Sequence, residues 1–110
     1  MEAQLQDLIP KLDTWIEETR QAFLDDLMDL ARIPSVACHQ DGEHPYGEAC
    51  TRVLEKSEEI ARRRGLTPCN HKNHCTTITL PGKSGRTIGI FCHLDVVAAG
   101  NGWQLSLIHI

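Results

Sequence analysis

Residues 86–103 read RTIGIFCHLDVVAAGNGW, and this stretch decides the fold class. Residues 86–92 form a nearly continuous apolar run, which is typical of a strand buried on both faces of a sheet that helices cover. His93 and Asp95 follow directly after this run. Open α/β sheets bind their ligands beyond the carboxyl ends of their strands. The stretch therefore predicts an α/β domain with candidate functional residues at the end of a buried strand.

A long amphipathic helix is predicted ahead of this strand. Between Leu12 and Leu30, apolar residues recur at spacings of three, four or seven, which places them on one helix face. Pro34 ends the helix, because the residue before a proline is pushed out of helical geometry. Its start stays open: Thr14 and Glu17 have the spacing of a capping box, whereas Pro10 also fits a first helical turn.

A loop and a second helix come next. The loop, residues 34–46, holds His39 and His44, which we expect to be solvated, with a place at the edge of a substrate pocket as the alternative. The helix carries an apolar stripe formed by Ala49, Val53, Ile60 and Ala61. Gly65 lies just past its last turn, where helices commonly end in glycine.

Beyond Gly65 the period changes from helical to alternating. Ile78 and Leu80 are expected on one side of a strand, and residues 81–85 form a turn before the apolar run. The order helix, helix, strand, strand opens an α/β domain. We expect two helices followed by strands of a mixed sheet.

The segment 69–75, CNHKNHC, contains four potential zinc ligands. Its spacing fits none of the usual structural zinc sites, and Asn70, Lys72 and Asn73 are turn formers, so we predict a polar hairpin. The alternative class of function is a small non-enzymatic binding domain, built on this segment or on the acidic face of the first helix.

Composition limits the partners of the chain. Its 110 residues are 41% hydrophobic and 24% charged, with a net charge of -4, which suits a globular protein and disfavours nucleic acid as a partner. The sequence has neither a basic, apolar leader nor an apolar run of about 18 residues, so we expect no signal peptide and no membrane span. Five cysteines, an odd number, favour reduced thiols and a cytoplasmic location.

His93 and Asp95 form the motif with the clearest chemistry. Residues two apart in an extended chain project to the same side. Asp95 can therefore accept the imidazole N–H of His93 and leave the other ring nitrogen free for a metal ion.

The segment 87–103, TIGIFCHLDVVAAGNGW, resembles the first metal-binding signature of the dinuclear-zinc peptidase family of aminoacylases, succinyl-diaminopimelate desuccinylase, carnosinases and PepV-type dipeptidases. Two further stretches are similar to the same family. DLMDLARIPSV, 26–36, is similar to the end of its N-terminal helix, and PYGEACTRVLEKSEEIARRRGL, 45–66, to the second helix of the PepV-like branch.

This resemblance implies that His93 binds one of two zinc ions, with manganese or cobalt as other possible metals, and that Asp95 is the catalytic-site aspartate that orients it. The implied reaction is hydrolysis of peptide or amide bonds by two-metal activation of water, acting on small peptides or N-acyl amino acids. The chain departs from the family pattern at Cys92, Ala98 and Asn101. None of these departures removes a ligand.

The remaining ligands and the general base of the family lie downstream of the matched stretch. The resemblance therefore implies that residues 1–104 are a truncated, incomplete N-terminal part of a zinc-exopeptidase-like catalytic domain, inactive by itself. Residues 105–110, LSLIHI, no longer resemble the family. Back-translated as CTG TCT CTT ATA CAC ATC, they match the transposon end used to prepare sequencing libraries, so we expect a non-native tail there.

Overall fold

The computed structural model describes the backbone of residues 2–102 and the side chains of residues 6–102. The tail predicted at 105–110 lies outside the described residues. The chain divides into two compact units, Met1–Arg32 and Ile33–Ile110. Two helices are followed by two paired strands, and this small α/β arrangement confirms the predicted fold class.

The first unit is one helix, α1, Glu2–Ala31. It starts well before the predicted periodic stretch and contains Pro10 in its interior. A proline removes one backbone donor from the helix, and here the helix continues through that gap. Thr14 does not cap the helix, because its hydroxyl donates back to the Pro10 carbonyl at 2.9 Å. In the described part of the chain, no helix is both long and apolar enough to cross a lipid bilayer.

The second unit is organised around α2, Glu48–Arg63. Its buried apolar side chains are Cys50, Val53 and Ala61. The predicted apolar stripe is thus confirmed at Val53 and Ala61, whereas Ala49 and Ile60 are half-buried. Gly65 takes a left-handed conformation, with φ of 75°. The Leu66 N–H then donates to the Ala61 carbonyl at 2.9 Å, which ends the helix at the predicted glycine.

A hairpin follows α2. Strands β1, Pro68–Asn70, and β2, Thr76–Ile78, pair antiparallel with Cys69 opposite Thr77. Lys72 and Asn73 both have positive φ, 55° and 60°. The Asn70 side-chain oxygen accepts the Asn73 N–H at 2.7 Å, which fixes this turn. The predicted polar hairpin is confirmed, although β2 stops before the predicted strand residue Leu80.

The carboxylate of Glu58 joins α2 to the hairpin. Glu58 is only 7% exposed, and its Oε1 accepts hydrogen bonds from Asn70 Nδ2 at 2.7 Å and Thr76 Oγ1 at 2.8 Å. Arg62 Nη2 donates to Oε2 at 3.0 Å. Burial raises the pKa of the Glu58 carboxyl, but the bonds from Thr76, Asn70 and Arg62 outweigh burial and hold the pKa below its usual range. The carboxylate is thus ionised and bonded to all three neighbours.

The prediction of a strand at 86–92 is wrong. Residues 86–92 have no regular secondary structure. Ile88 and Ile90 are each 90% exposed and Phe91 is 97% exposed. A strand needs neighbours for its backbone N–H and C=O groups, and the described residues supply none beside this run. The apolar side chains of this run are therefore left exposed in the described structure.

We predict that Glu58→Gln weakens the attachment of the hairpin. The substitution removes the negative charge and replaces one acceptor oxygen with an amide donor that faces other donors. The free energy of hairpin opening should fall by roughly 1.5–3 kcal/mol, the range for hydrogen bonds to charged groups. Amide exchange of His71, whose N–H donates to the Cys75 carbonyl at 2.8 Å, reports this opening. Glu59→Gln is the matched control, because Glu59 pairs with Lys56 at the surface. Equal losses of protection in both variants would contradict the assignment.

We also predict an acid-dependent loss of hairpin stability that Glu58 causes. Its pKa is lowered in the folded chain, so its contribution is fully present above the ordinary glutamate pKa of about 4.3. The contribution then declines as the pH falls through the lowered pKa of the folded state. Hairpin protection measured from pH 7 to about pH 3 should show this decline in the wild type and a smaller one in Glu58→Gln. Identical acid profiles would refute the prediction.

Candidate functional site

His93 and Asp95 lie side by side at the surface of the second unit. Asp95 Oδ1 is 3.5 Å from His93 Nδ1, with side-chain exposures of 53% for Asp95 and 84% for His93. The backbone carbonyl oxygen of Asp95 is closer to the same ring nitrogen, at 3.0 Å. The structure thus brings the two predicted site residues together, although no strand precedes them.

The neighbours of His93 Nδ1 decide the tautomer of the ring. A backbone carbonyl oxygen only accepts hydrogen bonds, so Nδ1 is protonated and donates to it. The carboxylate of Asp95 reinforces this tautomer through its negative charge. In a neutral imidazole with a protonated Nδ1, the nitrogen Nε2 carries a lone pair. Among the described residues, no hydrogen bond occupies Nε2, so this nitrogen is available to a ligand.

Ser35 anchors the segment that carries these two residues. It is 2% exposed, and its hydroxyl donates to the Leu94 carbonyl at 2.7 Å. The Val96 N–H donates to the Ser35 carbonyl at 3.0 Å, and Val36 pairs with Val96 in an isolated parallel bridge. Ser35 belongs to the stretch 26–36 that resembles the family, and the sequence alone predicted no role for it. Its place just after the helix-ending Pro34 was the available signal.

Cys50 lies beneath this anchor on α2. Its thiol donates to the Ser35 carbonyl at 3.5 Å. Burial raises the pKa of the Cys50 thiol, and the negative charges of Asp95 and of a Cys38 thiolate raise it further. The thiol is therefore protonated at neutral pH, which suits a packing and hydrogen-bonding role rather than that of a nucleophile.

A pocket opens beside His93 and Asp95. Its volume is about 490 Å³, and its wall combines the two site residues with apolar side chains of α2 and β2, among them Val53 and Ile78. Volumes of this order accommodate small organic ligands. His74 of the hairpin also lines the pocket, and its ring packs edge-on against Tyr46, with ring centroids 5.7 Å apart.

The two loop histidines have defined contacts. His44 is half-buried, and its Nδ1 lies 3.0 Å from the Thr51 hydroxyl in the first turns of α2. The expectation of a solvated His44 is therefore wrong, because the loop folds back onto the helix. His39 is exposed and packs against the ring of Tyr46 at 5.9 Å between centroids. Neither histidine lines the pocket beside His93.

The side chains of the segment 69–75 take part in the hairpin. His71 Nε2 lies 3.0 Å from the Thr77 hydroxyl, and His74 Nδ1 lies 3.0 Å from the Lys72 carbonyl oxygen. Across residues 6–102, no three side chains of His, Cys, Asp or Glu are grouped closely enough to hold a metal ion. His93 is thus a single candidate ligand with Asp95 as its partner.

Comparisons with known proteins give relatives of one kind. The chain is 33% identical over 91 residues to a protein of Staphylococcus haemolyticus (strain JCSC1435) named "Putative dipeptidase", matching 81% of this chain and 19% of that protein. It is 34% identical over 95 residues to proteins of the same name from Staphylococcus aureus strains USA300 and N315, matching 82% of this chain and 20% of each. No family model and no solved structure matches the chain significantly. The chain thus spans about a fifth of the length of the curated relatives it matches, and it is similar over that part to proteins named as dipeptidases.

Proposed function

We propose that the chain is part of a metal-dependent, dipeptidase-like hydrolase, in which His93 binds a metal ion and Asp95 orients His93. The observation that carries this proposal is the pairing of His93 Nδ1 with Asp95, at 3.0 Å to its carbonyl oxygen and 3.5 Å to its carboxylate. A histidine that binds a metal commonly donates its other ring N–H to a carboxylate or a backbone carbonyl. Both kinds of acceptor are present here.

The chemistry of His93 fits a divalent metal such as zinc, and manganese and cobalt also accept imidazole ligands. A bound divalent cation would polarise the carbonyl of the scissile bond and lower the pKa of a coordinated water. A catalytic zinc usually has three protein ligands, and the described residues hold no such group. We infer that His93 is one ligand of a two-metal site, that the other ligands lie outside the described residues, and that the 110-residue chain is inactive by itself.

The proposed substrate is a small peptide or an N-acyl amino acid. The relatives named as dipeptidases support this class of substrate. The pocket of about 490 Å³ beside His93 has room for one or two residues of a peptide, and its apolar wall suits an apolar side chain.

All five cysteines are free thiols, which agrees with our inference of a cytoplasmic location.

We predict that His93→Ala abolishes hydrolysis in the complete hydrolase encoded by the full reading frame. The substitution removes the imidazole without changing the fold, because the His93 side chain is 84% exposed. Dipeptide hydrolysis should fall by at least about 100-fold, and bound zinc measured by mass spectrometry should fall with it. His71→Ala is the matched control, since His71 is also an exposed histidine in the same unit. Full activity of His93→Ala would refute the proposed role of this residue.

Removal of metal gives a second test of the proposal. Treatment of the complete hydrolase with a chelator such as EDTA should abolish dipeptide hydrolysis, and added zinc, manganese or cobalt should restore it. Asp95→Asn keeps the shape of the side chain but lacks the negative charge that favours the Nδ1–H tautomer. This variant should need a higher concentration of zinc for half-maximal recovery, by about 10- to 100-fold. Hydrolysis that is insensitive to chelators would rule out a metal-dependent mechanism.

A further inference from the structure

We propose that Ser35 is a positioning residue for the site: it holds the backbone on both sides of Asp95 and so keeps Asp95 against His93. The proposal rests on the proposed function for its effect on catalysis, whereas its structural part stands on hydrogen bonds alone. Among the described residues, Ser35 makes no hydrogen bond to the His93 ring itself. It acts through the main chain that carries the two site residues.

Ser35 makes one hydrogen bond to the residue before Asp95 and one to the residue after it. The Ser35 hydroxyl donates to the carbonyl of Leu94, which precedes Asp95, at 2.7 Å. The Ser35 carbonyl accepts the N–H of Val96, which follows Asp95, at 3.0 Å. A residue whose two flanking peptide groups are both fixed has little freedom in its own backbone dihedrals. The carboxylate and the carbonyl of Asp95 therefore keep their places beside His93 Nδ1.

Ser35 itself has a fixed position. It is 2% exposed, so water does not compete for its hydroxyl. The Cys50 thiol of α2 donates to the Ser35 carbonyl at 3.5 Å, which ties the anchor to the helix. The next residue, Val36, pairs with Val96 in a parallel β-bridge, which extends the contact between the two segments by one residue. The anchor thus transmits the rigidity of α2 to a segment 59 residues further along the chain.

The anchor is important because the site has little other support. Residues 86–92, which lead into His93, form no strand and are exposed. Among the described residues, the two hydrogen bonds of Ser35 and the adjoining bridge between Val36 and Val96 join residues 93–96 to the rest of the chain. An alanine at this position keeps the bond from Val96 but loses the bond to Leu94, so the segment gains freedom on the His93 side of Asp95.

The test compares Ser35→Ala with Ser35→Thr, which keeps the hydroxyl, in the complete hydrolase. In Ser35→Ala, kcat should fall by about 10- to 100-fold with KM nearly unchanged, as for other groups that orient metal ligands. The zinc concentration for half-maximal activity should rise, and Ser35→Thr should recover most of kcat. Thr19→Val is the matched control, because it removes a hydroxyl bond of 2.7 Å to a carbonyl within α1. If Ser35→Ala does not fold, Ser35→Cys replaces it in the test. Because a thiol is a weaker donor than a hydroxyl, kcat of Ser35→Cys should lie below that of the wild type, by less than the loss expected for Ser35→Ala.

Hydrogen exchange separates this proposal from the proposed function. The amide of Val96, which donates to the Ser35 carbonyl, should exchange faster in Ser35→Ala than in the wild type, because the segment loses its attachment at Leu94, and at an unchanged rate in Thr19→Val. If the wild-type hydrolase cleaves no dipeptide but this exchange result holds, the proposed function fails and the anchoring role of Ser35 stands. Unchanged exchange of the Val96 amide together with wild-type kcat in Ser35→Ala would overturn the positioning role.

Discussion

A buried carboxylate holds the second unit of this chain together. Glu58 accepts hydrogen bonds from Asn70 and Thr76, one on each strand of the hairpin, and from Arg62 on its own helix. A carboxylate removed from water is destabilising unless such donors compensate it, so the hairpin and the helix must keep their relative positions for all three bonds to exist. The small apolar core of Cys50, Val53 and Ala61 is insufficient to impose that geometry alone.

The candidate site depends on the same helix through a second set of contacts. The thiol of Cys50, two turns before Glu58, bonds to the Ser35 carbonyl, and Ser35 in turn bonds to the backbone around Asp95. One face of α2 thus supports the hairpin at its C-terminal half and the His93 segment at its N-terminal half. The pocket beside His93 lies between these two attachments, which explains why its wall includes residues of both.

Local patterns predicted the local structure well. Gly65 marked the end of α2, and Asn70 with Asn73 marked the turn of the hairpin, because turn chemistry acts over a few residues. The roles of Glu58 and Ser35 could not be predicted in this way. Glu58 looks like a solvated helix residue until partners 12 and 18 positions away are brought to it, and Ser35 meets its partner across 59 positions. The placement of Asp95 beside His93 was predicted from their spacing. The metal-binding role of His93 and the orienting role of Asp95 stay predictions.

The failed strand prediction at 86–92 has a physical meaning for the site. Apolar composition favours burial but does not create it: Ile88, Ile90 and Phe91 would each gain about 1.5–3 kcal/mol from burial if a surface were present to receive them. A strand also needs hydrogen-bonding partners for its backbone. Beside this run, the described residues provide neither an apolar surface nor such partners. Because no strand precedes them, residues 93–96 must be held in place by contacts with another part of the chain. The hydroxyl and carbonyl of Ser35 do this at Leu94 and Val96, so the geometry of His93 and Asp95 exists without a strand before them.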